Sequence, residues 1–212
     1  MTIRTKVTQN RYLLGAGAAF LIFAFVCLFP ITKMIDQIII DWVQHVHWEV
    51  LDRILAVFVA VGSVQISVTG LFILSIIFYK QSNYRKAYLL IAGLLLLTMI
   101  EFVMKHFFPH HVIPASYVGR YPWASVAGHL ELETPFSFPS GHSMRSAFFL
   151  GTLYLGIPVF HRRSFLYLIL VYLAGQAVAM NNFGFHWLSD CLAGYWLAGL
   201  AIWTIEQVES AP

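Results

Sequence analysis

The chain has 212 residues, 59% of them hydrophobic and only 11% charged, with a mean hydropathy of +0.72. Soluble domains carry about a quarter charged residues, so these values exclude an ordinary soluble fold and indicate a polytopic membrane protein. The formal net charge of +3 suggests no nucleic-acid partner. Cys27 and Cys191, both in apolar stretches, offer neither a disulfide framework nor a zinc pattern.

A membrane span needs about 20 mostly apolar residues. Residues 13–29 fit, ended by Pro30. The basic front of Arg4, Lys6 and Arg11 is like a signal-peptide n-region, but no small-residue cleavage site follows, which predicts an uncleaved first helix. Residues 36–48, DQIIIDWVQHVHW, mix Ile and Trp with Asp, Gln and His and predict an interfacial helix. A short amphipathic piece, 51–60, breaks at Gly62-Ser63, and spans two and three are expected over 64–79 and 87–104. Residues 105–140 form a polar connection whose Pro109, Pro114, Pro122, Pro135 and Pro139 oppose a regular helix. Three further spans are expected over 143–160, 165–180 and 187–204. The fold class is therefore all-α: six transmembrane helices with an interfacial helix and a long loop between spans three and four. Residues 1–212 read as a single integral membrane domain.

Basic residues alternate along this layout. Arg4, Lys6 and Arg11, then Lys80, Arg85 and Lys86, then Arg162 and Arg163 fall on one face. Lys33 and Arg53, opposite, are offset by Asp36, Asp41, Glu49 and Asp52. The positive-inside rule then places both termini in the cytoplasm and the long loop outside, in a bacterial inner membrane the periplasm. Trp42, Trp48, Trp123 and Trp187 suit interface anchors or site walls.

The outer ends of spans three to six collect Lys105, Arg120, Ser140, His142, Arg145, His186 and Asp190. Each alone could simply snorkel. In Pro139-Ser140-Gly141-His142, proline fixes the chain, serine can cap a helix, and glycine lets a ligand approach the backbone. The free N–H groups of the first turn then favour an anion. Arg145, three residues after His142, shares its helix face. His186 and Asp190, four apart, suit either an imidazole oriented by a carboxylate or an ordinary salt link at a helix end. His106, His110 and His111 lack the carboxylate set that a metal site would need. Glu131 and Glu133 fall in the loop HLELETP, where they suit a solvated face or the shaping of head-group choice.

Together these residues resemble the type 2 phosphatidic acid phosphatase family, which shares its core with vanadium haloperoxidases. The family's second motif, Pro-Ser-Gly-His, is complete at 139–142, and the end of its third is present in His186 and Asp190, with Gly184 two before the histidine. The resemblance covers about residues 50–205. Two arginines are out of place: Met180 stands where the third motif has one, and Val112-Ile113 stand where the first motif, opened by Lys105, has Arg-Pro. Arg145 and Arg120 are expected to replace them.

The resemblance implies a membrane lipid phosphatase acting at the outer face through a phosphohistidine. His186 would be the nucleophile, Asp190 its orienting partner and His142 the general acid. Lys105, Ser140, Gly141, Arg145 and Arg120 would hold the phosphoryl oxygens, with no metal and no cofactor. Expected partners are membrane lipids and a lipid phosphate or pyrophosphate: an isoprenoid pyrophosphate, a phosphatidylglycerol phosphate, phosphatidic acid or lipid A. A lipid phosphotransferase, or a catalytically silent lipid binder or transporter on the same fold, is the alternative.

Overall fold

A computed structural model describes residues 3–46, 48–118 and 134–209, with side chains from residue 11 onward. Eight α-helices follow one another among these residues: α1 (Ile3–Val26), α2 (Pro30–His45), α3 (Glu49–Val61), α4 (Val64–Lys80), α5 (Tyr84–Phe107), α6 (Gly141–Gly156), α7 (Arg163–Asn182) and α8 (Leu188–Glu209). Single 3₁₀ turns occur at Ala115–Tyr117 and Pro158–Phe160, and the described residues contain no strand. Between α5 and α6 the described part of the proline-rich connection holds no α-helix, only the turn at Ala115–Tyr117. Arg120, Trp123, Glu131 and Glu133 lie outside the described residues.

Side-chain caps start several helices. Ser63 Oγ accepts from Ile66 N at 3.4 Å to open α4, and Asn83 Oδ1 accepts from Lys86 N at 3.1 Å to open α5. Each thereby satisfies a backbone donor that the helix itself leaves free.

Among the described residues, only α5, α7 and α8 are individually long and apolar enough to cross a membrane. Two bent pairs, α1 with α2 at 81° and α3 with α4 at 43°, raise the number to as many as five. The fold is a multi-pass helical membrane protein, and α6, at the expected fourth span, is shorter than α5, α7 and α8. Its 16 residues reach about 24 Å, short of the ~30 Å hydrocarbon layer. Every residue from Gly141 to Phe148 is buried, because α4, α5, α7 and α8 all pack on this helix. Protein, not lipid, therefore surrounds Ser143, Arg145 and Ser146.

Two apolar clusters fix the helices. One joins α1, α4, α5, α6 and α8 through residues such as Phe20, Leu71, Leu90, Phe148 and Leu197. The other joins α3, α7 and the start of α8 through Ala56, Val59, Met180, Phe183 and Cys191. At the end remote from the histidines, buried Lys86 bridges Glu206 at 3.0 Å and Glu209 at 2.8 Å, tying α5 to α8. Two polar residues of α2 are taken up by protein. Asp36 is buried and receives Ser189 N at 3.1 Å. Gln44 Nε2 donates to the Tyr117 and Asn182 carbonyls at 2.9 and 3.0 Å.

Candidate active site

The end of α5, the start of α6 and the turn between α7 and α8 enclose a cavity of about 400 Å³. Lys105, His142, Arg145 and His186 all line it. Four of the eight residues expected from the sequence thus meet at one opening. Ser140 and Gly141 adjoin it, and Asp190 stands behind His186. Arg120 lies outside the described residues.

Ser140 is wholly buried and serves as the N-cap of α6: its Oγ accepts from Ser143 N at 3.3 Å, and its own N–H donates to the Asp190 carbonyl at 3.0 Å. The cap holds α6 against α8, so the Ser-Gly-His start and the His-Asp pair are fixed relative to each other.

The His-Asp pair is built differently from two residues stacked along one helix. His186 precedes α8, and Asp190 in its first turn reaches back. Asp190 Oδ2 accepts from Trp187 N at 3.0 Å and lies 3.3 Å from His186 Nδ1. A carboxylate at this position also complements the positive end of the helix dipole. With Nδ1–H turned to Asp190, Nε2 of His186 is left with its lone pair for an electrophile. Gly184, at φ +67°, makes the turn that carries His186; a side chain there would run into the Tyr117 carbonyl.

Two features escape sequence reading. Asp190 has a second imidazole: His110 Nδ1 lies 3.1 Å from Oδ1, and both side chains are fully buried. His110 Nε2 lies 3.4 Å from Ser189 Oγ, which donates to Asp36, and His111 Nε2 is 3.2 Å from the same carboxylate. The carboxylate missing from the histidine-rich KHFFPHH segment is thus supplied from 74 positions upstream of His110. Donor atoms of Asp36, His110 and His111 lie within 4.8 Å of one another, and Asp36 also accepts from Ser189 N and Oγ. These close polar contacts form a relay of imidazoles and carboxylates behind His186.

The second feature is Glu101. It lines the same cavity, bridging Arg145 Nη1 at 2.7 Å and Lys105 Nζ at 3.0 Å. The i, i+4 step from Glu101 to Lys105 was a visible signal, but Arg145 is 44 residues away and its pairing was not. The positions of the two absent arginines carry apolar side chains in different settings. Val112 and Ile113 form cavity wall, and Met180 is fully buried in the second apolar cluster.

The family model of the PAP2 superfamily matches residues 88–210, more than half of the chain. In fold the chain is similar to the crystal structure of the first transmembrane PAP2 type phosphatidylglycerolphosphate phosphatase from Bacillus subtilis. That similarity has a TM-score of 0.73 over 92% of this chain and 94% of the other, at 16% identity. No curated protein matches in sequence. With histidines of the expected motifs gathered at one cavity and the family model spanning them, the chain belongs to the PAP2 superfamily.

Proposed function

We propose that the protein is a lipid phosphatase that removes phosphate from an anionic membrane lipid through a phosphohistidine on His186. The observation that carries this reading is the meeting of His186, His142, Lys105 and Arg145 at one cavity, with Asp190 held behind His186. His186 Nε2 attacks phosphorus as the P–O bond to the lipid breaks, and protonated His142 gives its proton to the departing oxygen. His142, now neutral, takes a proton from water, whose oxygen attacks the phosphohistidine; the N–P bond breaks, orthophosphate leaves and His186 is restored. Asp190 stabilises the positive charge that grows on the His186 ring. Lys105 and Arg145 balance charge on the equatorial oxygens, the positions where phosphoryl transfer most needs it. Those two cations supply the role a metal fills elsewhere.

Residues 1–212 form one membrane domain in this reading, with both termini cytoplasmic and the cavity facing outward. Phe102, Val112 and Ile113 in the cavity wall suit a head group followed by the start of an acyl or isoprenoid chain. Phosphate release from purified protein tests the reading with a panel of phosphatidylglycerol phosphate, phosphatidic acid, an isoprenoid pyrophosphate and lipid A. Release that persists in EDTA is expected for at least one lipid. Transfer to an acceptor lipid without release would identify a phosphotransferase, and neither product would identify a silent binder.

A further inference from the structure

An anion site that already contains a carboxylate poses a physical problem. Glu101 is 8% exposed and engages both described cations of the cavity, Arg145 at 2.7 Å and Lys105 at 3.0 Å. It also presses against the first residue of α6: a Cβ on Gly141 would collide with the Glu101 carboxylate and lie 2.7 Å from Arg145 Nη1. The carboxylate therefore sits at the N-terminal end of α6, where the helix dipole favours negative charge. Arg145 is 7% exposed, and its Nε has no hydrogen-bond partner among the described residues, so the guanidinium has bonding capacity that Glu101 does not use.

We propose that Glu101 is an internal competitor for phosphate, occupying the anion position at the start of α6 until substrate displaces it and returning to expel orthophosphate. The inference rests on the assignment of this cavity as the phosphate site. On entry of a phosphoryl group, Arg145 and Lys105 exchange carboxylate oxygens for phosphoryl oxygens, and no bond is made or broken. Glu101 cancels one of the two positive charges that Lys105 and Arg145 bring to the cavity, which keeps the product from binding too tightly. The absence of arginine at 112 and 180 works in the same direction. The backbone that carries each cation is set apart from Glu101, Arg145 in the packed first turns of α6 and Lys105 on α5.

Glu101→Gln is nearly isosteric, keeps an oxygen for Arg145 and removes only the charge. Binding of inorganic orthophosphate to full-length protein in detergent, followed by calorimetry, needs no turnover. Failure to hydrolyse lipid phosphates would therefore count against the function while leaving this measurement intact. The expected result is binding on the order of tenfold tighter in Glu101→Gln, because a like charge facing the ligand is gone, together with stronger product inhibition and a lower KM. Glu101→Asp, which keeps the charge but is too short to reach Gly141, should also bind more tightly than the parent and serves if the glutamine variant does not fold. Unchanged or weaker binding in the folded variant, or no binding by parent and variant alike, would overturn the proposal.

Discussion

Arg145 is the residue on which the account of the missing arginines turns. Its guanidinium can hold two phosphoryl oxygens at once, whereas lysine acts as a point charge. Arg145→Lys should therefore lower the hydrolysis rate by about 10²-fold, the scale of losing one preorganised donor. Arg145→Ala is a poorer test than the sequence alone suggests. It leaves the buried Glu101 carboxylate facing only Lys105, and stranding a buried charge is strongly destabilising. The double change Arg145→Ala with Glu101→Gln separates the two effects: it should fold like the parent yet hydrolyse lipid phosphate at least as slowly as Arg145→Lys. A parent-like rate in that double variant would show that Arg145 has no part in holding phosphate.

The start of α6 and the turn before α8 act as rigid elements through their caps and their burial. Much of this was legible. The Pro-Ser-Gly-His run announced a capped helix start, and the spacing of His186 and Asp190 announced a pair. The relay through His110, Ser189 and Asp36 was not, because it joins residues up to 153 apart. Nor was Glu101, whose partners come from two helices. Met180 stands where the third motif has an arginine, and the packing opposes an arginine there. Met180 is wholly buried among Ala56, Val59, Ala179 and Phe183. Met180→Arg should lower stability by about 2 kcal/mol or more, since it puts a charge in an apolar cluster, and it should not rescue Arg145→Lys. Thermal unfolding in detergent checks the first expectation and phosphate release the second; a stable, rescued double variant would return position 180 to the phosphate site.

Across the whole molecule, composition and span periodicity revealed a helical membrane protein, while the number of crossings was harder to read. Helix α6 carries the polarity of a site and the apolarity of a core, and its neighbours, not its own length, make it tolerable in the bundle. The bends at residues 27–29 and 62–63 fall where the sequence itself breaks, before Pro30 and at Gly62-Ser63. Charge distribution predicts the side on which the cavity opens. A cysteine placed at Val118, close to the cavity, should react with an impermeant thiol reagent from outside the cell, and one at Arg162 should not; the reverse pattern would invert the orientation.

The central claim is that His186 carries the phosphoryl group. Brief reaction of the protein with a ³²P-labelled lipid phosphate, followed by denaturing quench, should trap a phosphoprotein that is labile to acid and stable to alkali. The label should be absent from His186→Gln, which should also release no phosphate. Hydrolysis by folded His186→Gln at the parent rate would contradict the account.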